Sequence, residues 1–177
     1  MKKICVFLTV LFAVVSLSAE NGGRIVYSAV GLLPVKYLEL PGPDADVRIM
    51  RLNLIAGCHK SMYGLDLAVL GGWTRGDSAG ILLSGGYNVC LGECYGLQLA
   101  SVNFTEGAHC GLQIGAVNMT WGLRGMQIGA VNATSDGAGW QIGLYNMAES
   151  FSGIQLGLIN MNIGSPLMMM PLLNVWF

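Results

Sequence analysis

The sequence predicts an all-β protein, built from repeats and wound as a parallel β-solenoid of about eight coils of 14–16 residues. Three observations predict it. Related segments recur from residue 49 to about 160, apolar residues alternate within each segment, and glycine returns at fixed places inside them.

Self-similarity is the dominant signal. Four segments align without gaps at a period of 14: Gly111-Leu-Gln-Ile-Gly-Ala-Val-Asn118, Gly125-Met-Gln-Ile-Gly-Ala-Val-Asn132, Gly139-Trp-Gln-Ile-Gly-Leu-Tyr-Asn146 and Gly153-Ile-Gln-Leu-Gly-Leu-Ile-Asn160. Gly96-Leu-Gln-Leu-Ala-Ser-Val-Asn103 precedes them by 15 residues, and looser copies start at Gly80, Gly64 and Ile49. The copy at Gly80 carries Leu82 at the Gln position and one extra residue before Asn88, which predicts a bulge or coil irregularity between Ile81 and Gly86.

Alternation settles the local structure. Leu112, Ile114 and Ala116 point one way, and Gln113, Gly115 and Val117 the other; period two is a strand. A helix would carry two glycines in most copies at roughly 1 kcal/mol each. The aliphatic side is expected to be the core, with Trp140 inside at the Leu112 position. The closing Asn and the six-residue linker behind it read as turn chemistry.

One copy cannot fold alone. Three or four buried aliphatics contribute about 1.5–3 kcal/mol each, against roughly 1–2 kcal/mol of backbone entropy for every residue ordered. Copies must stack. In a solenoid, Asn88, Asn103, Asn118, Asn132, Asn146 and Asn160 would form one amide ladder, and Gln98, Gln113, Gln127, Gln141 and Gln155 a second.

The alternative is an antiparallel outer-membrane-type β-barrel with one strand per copy. Its natural unit is the hairpin, with short turns at one end and longer loops at the other. Equivalence of single copies and uniform linkers favour the solenoid. The Leu173, Val175, Phe177 alternation at the end of the chain resembles a barrel's terminal strand, and Trp121, Trp140, Tyr145, Phe151 and Trp176 could form its aromatic girdle.

The ends divide the chain into four parts: 1–19, 20–48, 49–160 and 161–177. Lys2 and Lys3, the apolar run Ile4 to Val15 and the small residues through Ala19 read as a secretory signal, cleaved after Ala19 or after Ser18. Residues 20–48 read as a leader that shields the first copy, and 161–177 as a cap or terminal strand.

Composition excludes some functions. Without Lys2 and Lys3, seven of the nine basic residues remain against ten acidic ones, a net charge near −3, which does not suit nucleic acid. Glycine, at 26 residues, is about twice its usual share but follows no collagen period. Cys58, Cys90, Cys94 and Cys110 could form two disulfides in an oxidising compartment or remain thiols.

Enzymatic signals are weak. Cys58-His59 and His109-Cys110 match no standard zinc spacing, and no metal or cofactor is expected. Asp77, Glu93, Glu106, Asp136 and Glu149 fall in linkers, where solvated turn acids are the default; Asp66 lies within a copy. Asn103, Asn118 and Asn132 fit glycosylation sequons through their turn-like Asn-x-Thr spacing. No nucleophile motif, phosphate loop or dinucleotide fingerprint is present; the Gly-x-x-x-Gly spacings belong to the repeat.

Arg51-Leu-Asn-Leu-Ile-Ala-Gly57, Tyr63-Gly-Leu-Asp-Leu67, the tandem Gly-Leu-Gln-Ile-Gly-Ala-Val-Asn copies and the Pro-Leu-Leu-Asn-Val-Trp-Phe ending together resemble the leptospiral-type surface-repeat family of exported bacterial proteins. The resemblance covers about 26–177 and implies a surface or outer-membrane repeat protein with no catalytic residues to carry over. The expectation is thus a non-enzymatic envelope protein in a structural or adhesive role, outer membrane or cell surface in location, with the periplasm as an alternative. A barrel acting as channel or scaffold stands second, and a carbohydrate-active solenoid enzyme third.

Overall fold

A computed structural model describes residues 25–31, 39–40, 44 and 46–177. The segment read as a secretory signal, 1–19, lies outside them. The strands are β1 (Ile25–Gly31), β2 (Glu39–Leu40), β3 (Asp46–Asn53), β4 (Ala56–His59), β5 (Ser61–Ala68), β6 (Gly71–Thr74) and β7 (Ser78–Ser84). They continue as β8 (Tyr87–Cys90), β9 (Cys94–Leu99), β10 (Val102–Ile114), β11 (Val117–Ile128), β12 (Val131–Ile142), β13 (Tyr145–Asn162) and β14 (Met169–Trp176). No helix occurs among the described residues.

The strands wind into a parallel β-solenoid with two faces. The first face stacks β1, β3, β5, β7 and β9, then the later parts of β10, β11, β12 and β13. The second stacks β4, β6 and β8, then the opening residues of β10 to β13. Neighbouring coils are parallel throughout, so the antiparallel barrel is not formed. Antiparallel pairs occur only at the two ends of the described stack, β1 with β2 and β13 with β14. The stack also begins before the first recognised copy, because β1 already pairs with β3.

The leading glycine of each copy from Gly64 onward has a steric reason. Gly64, Gly80, Gly96, Gly111, Gly125, Gly139 and Gly153 stack in register with φ between 115° and 145°. A Cβ on Gly125 would overlap the carbonyl oxygen of Gly111 below it. Only glycine takes this backbone at that approach.

Two sequence expectations are corrected and a third is narrowed. The six-residue linkers are not turns: β10 to β13 run through them, bending between the two faces. The closing Asn is not a turn residue; Asn118 and Asn132 are the second residues of β11 and β12. The irregularity expected between Ile81 and Gly86 lies at the end of that range, at the corner with Gly85 and Gly86, while β7 keeps unbroken register with β5 and β9.

The largest correction concerns which side is inside. Gln98, Gln113, Gln127 and Gln141 are 0% exposed, while Trp140, expected in the core, is 42% exposed. Leu112, Ile114, Val117 and their equivalents face outward on both faces. Along the Gln and Asn positions the interior is a column of amides and hydroxyls, joined toward the charged corner by a few apolar side chains such as Met62, Leu123 and Phe151; the repeated aliphatics form the outer surface. The described core clusters are small, such as Leu123 with Ala148 and Phe151.

At the C-terminal end, β14 lies antiparallel on β13 and carries the interior pattern onward. Asn174 Nδ2 donates to Gln155 Oε1 at 2.9 Å, and Asn160 Nδ2 to the Met170 carbonyl at 3.2 Å. Pro171 within this edge strand removes one backbone donor, a common device against edge-to-edge pairing.

Candidate functional surface

Within each of the two ladders the amides largely satisfy one another. Asn88 Nδ2 donates to Asn103 Oδ1 at 3.1 Å, and the same bond repeats through Asn118, Asn132, Asn146 and Asn160 at 2.7–2.9 Å. The second hydrogen of each amide goes to a corner carbonyl, as from Asn132 to Ile142 at 2.9 Å. Gln113 donates to Gln98 at 2.7 Å, and Gln127, Gln141 and Gln155 continue upward at 2.7–2.8 Å. The sequon residues Asn103, Asn118 and Asn132 are therefore enclosed, not presented to solvent.

Both ladders give way near the N-terminal end to a buried ion pair. Arg51 and Asp66 occupy the Gln position of their coils. Arg51 Nε donates to Asp66 Oδ1 at 2.8 Å, and its Nη2 also meets Asp66 Oδ2. Asn53 Nδ2 adds a bond to Asp66 Oδ1 at 3.1 Å, and Arg51 Nη1 lies 3.3 Å from His59 Nδ1. At the Asn position, Gly72 replaces the amide and makes room for the pair. Leu82 separates Asp66 from Gln98, and the amide nitrogen of Gln98 has no hydrogen-bond partner.

The four cysteines among the described residues, Cys58, Cys90, Cys94 and Cys110, are thiols. Cys58 faces outward on the second face and Cys110 outward on the first, several coils away. Cys90 and Cys94 are buried together where β8 turns into β9. Ser78 Oγ donates to Cys90 Sγ at 3.3 Å, and the hydrogen bond with Cys94, working against burial, lowers the Cys90 pKa to about 7. The same bond, with burial, holds the Cys94 thiol well above the usual range. His109, next to Cys94 in the stack, is fully buried; burial pushes its pKa down to about 4 against the smaller opposing effect of the Leu112 carbonyl.

Charge is segregated. Asp46, Arg48, Lys60, Arg75, Asp77, Glu93, Glu106, Arg124, Asp136 and Glu149 all lie on, or within two residues of, the corner that leads from the second face to the first. Arg124 and Asp136 border a hollow of about 400 Å³ there, in which Asp136 is the sole carboxylate among the described lining residues. Paired-carboxylate hydrolysis needs two.

From Leu54 onward the opposite corner carries no charge among the described residues. It runs from Leu54-Ile55 and Val69-Leu70 through Gly115-Ala116 and Gly129-Ala130 to Gly143-Leu144 and Gly157-Leu158. From it, aliphatic rows extend along both faces. On the first, Leu52, Leu67, Leu83, Leu99, Ile114, Ile128, Ile142 and Leu156 stack in unbroken register. On the second, Val102, Val117 and Val131 do the same. Near the N-terminal end the first row shapes an apolar hollow of about 520 Å³ between Leu52 and Leu99.

Aromatic rings grade between the two edges. Tyr63, Tyr95 and Trp73 lie outward one step from the charged corner, and Trp121 is on it, 69% exposed. Tyr87 and Tyr145 lie near the apolar corner, and the Tyr145 hydroxyl bonds the Met161 sulfur at 2.9 Å. Of the five aromatics considered for a girdle, Phe151 is interior.

The fold and its surface define a parallel β-solenoid with an amide-laddered interior and an apolar exterior. Comparison with family models, with curated proteins and with solved structures returns no match.

Proposed function

We propose that this chain is a non-enzymatic, exported repeat protein of the bacterial cell envelope, working through contact rather than catalysis. The observation that carries the reading is the placement of aliphatic rows on the outside along the whole stack, with the polar groups hydrogen-bonded inside. Monomeric soluble proteins rarely expose contiguous apolar patches beyond a few hundred Å². Nine strands stacked about 4.8 Å apart on the first face span roughly 40 Å, and a surface of that extent fits a contact site. The apolar leader through Ala19 and the likeness of the tandem motif to leptospiral-type surface-repeat proteins support the envelope as its setting.

Fractionation of a bacterium expressing the full gene tests this. The protein is expected in the envelope pellet, released by detergent and not by salt. Recovery as a free protein in the cytosol or growth medium would refute the reading.

A further inference from the structure

We propose that the apolar partner is lipid: the solenoid enters one leaflet of a bilayer by its uncharged corner, with the charged corner left at the headgroups. This deepens the contact reading above and rests on it.

Four observations point to lipid rather than to a protein surface. First, the apolar surface wraps three sides of each coil: both faces and the corner between them. A second copy, or any rigid partner, covers one face and leaves the other wet. A fluid acyl layer closes around all three.

Second, the depth fits. From Gly111 to Ala116 the chain takes five residue steps toward the uncharged corner, about 16 Å at 3.3 Å per residue. On the second face, Val117 to Thr120 covers about 10 Å. One leaflet of hydrocarbon is about 15 Å, half the thickness of the core.

Third, ionised groups and aromatic rings are ordered by depth. Every exposed charged side chain among the described residues from Lys60 onward is at or near one corner. Tyr63, Tyr95, Trp73 and Trp121 sit beside it, the level at which Trp and Tyr gather in membrane proteins.

Fourth, the interior is fit for a dry surrounding. Coil-to-coil backbone bonds and the two ladders satisfy the polar groups from within, so immersing the outer rows strands few donors or acceptors. The net charge of the charged corner, four basic against seven acidic groups once Asp44 beside Arg75 is included, gives no attraction to anionic headgroups. Insertion, not surface electrostatics, is the binding mode.

The test uses the protein as exported by an expressing bacterium, purified in mild detergent and mixed with phosphatidylcholine vesicles carrying bromine on the acyl chains. Two single-tryptophan forms are compared, retaining Trp140 or Trp121, with the remaining tryptophans changed to Phe. Trp140 is expected to be quenched several-fold more than Trp121. The variant Leu144→Lys/Leu158→Lys, altered at positions 58% and 60% exposed, should keep the β circular-dichroism signal and lose vesicle partitioning at least tenfold. Replacing 30% of the lipid with phosphatidylglycerol, or adding salt, should change partitioning less than twofold.

Equal quenching of the two tryptophans overturns the proposal. So does binding that needs phosphatidylglycerol and vanishes in salt. So does a detergent-free soluble oligomer that ignores vesicles, which would assign the faces to further copies of this chain. A protein that fractionates with the envelope yet fails in vesicles sinks this inference alone; one that fails to fractionate there sinks the contact reading as well.

Discussion

Gly72 stands directly against the carboxylate of Asp66: a Cβ on the glycine would lie 2.5 Å from Oδ2 and 2.8 Å from Arg51 Nη2. The missing side chain is the space the ion pair occupies. Arg51→Gln is expected to cost about 3–5 kcal/mol in denaturant titration, because Asp66 is left charged and enclosed. The double variant Arg51→Gln/Asp66→Gln should cost less than either single change. In that background Gly72→Asn should be tolerated, since residue 72 is in register with Asn88; in the native background it should be as damaging as Arg51→Gln.

An inverted interior predicts an inverted mutational pattern. Asn132→Ala removes its bonds to Asn118, Asn146 and the Ile142 carbonyl. Buried partners left unmatched cost about 1–3 kcal/mol each, so the three together put the expected loss at about 3–9 kcal/mol. Ile128→Thr, one position from the fully buried Gln127, should cost under about 1 kcal/mol, because the residue faces outward. Thermal or denaturant melts of the two variants decide it. The opposite ranking would mean that the aliphatics are the core.

How much of this was legible in the sequence follows from what alternation can say. The period of Gly111, Gly125, Gly139 and Gly153 and the equivalence of single copies imply parallel stacking, and the structure has it. Alternation also implies that Gln127 and Ile128 point to opposite sides. It cannot say which side is enclosed. Burial preference alone chooses the aliphatics, and here that choice fails because repeated amides bond to one another coil after coil inside a narrow coil. The Arg51–Asp66 pair had a signal that was missed: both stand at the Gln position of consecutive looser copies. The charged corner was visible as acids confined to linkers, but only the bend of β10 to β13 places those acids along one edge.

His109 should make the protein acid-sensitive. Its folded pKa, about 4, lies below the ordinary 6.5, because burial disfavours the imidazolium. Above pH 6.5 both folded and unfolded chains hold a neutral ring, and the group contributes nothing. Between 6.5 and 4 the unfolded chain binds the proton and the folded one does not, so stability falls as pH falls. The loss approaches about 3 kcal/mol near pH 4. Carboxylates also titrate in this range, so the informative quantity is the difference from His109→Leu, which places at 109 the residue its stack neighbour Leu123 already has. Native protein and variant should diverge progressively in denaturation midpoint from pH 6.5 to 4; parallel curves would contradict the enclosed ring.

Cys90 and Cys94 should be the first pair to cross-link. They share a corner and a hydrogen bond, whereas Cys58 and Cys110 are outward on different faces. Oxidation by glutathione disulfide should remove two hydrogens from this pair, and the peptide map should show Cys90 joined to Cys94. The attacking species is the thiolate. With the Cys90 pKa lowered to about 7, the rate should level off above neutral pH rather than climb to 9. Cross-linking of Cys58 to Cys110 in monomeric protein would contradict the stacking order.

Leu82 is a buried leucine whose replacement by a polar residue should cost little. Leu82 sits fully enclosed between Asp66 and Gln98 in the stack. The Gln98 amide nitrogen beneath it lacks a partner. Leu82→Gln would supply an acceptor to Gln98 and a donor toward Asp66, extending the ladder to the ion pair in a side chain of similar volume. A buried leucine exchanged for glutamine normally costs several kcal/mol. Here the repaired donor is worth about 1–3 kcal/mol and the lost contacts with Cys90 and Cys94 work against it. The expected result is a change within about 1 kcal/mol of native stability, measured by denaturant unfolding. A loss of 3 kcal/mol or more would show that the leucine, not the ladder, holds that coil.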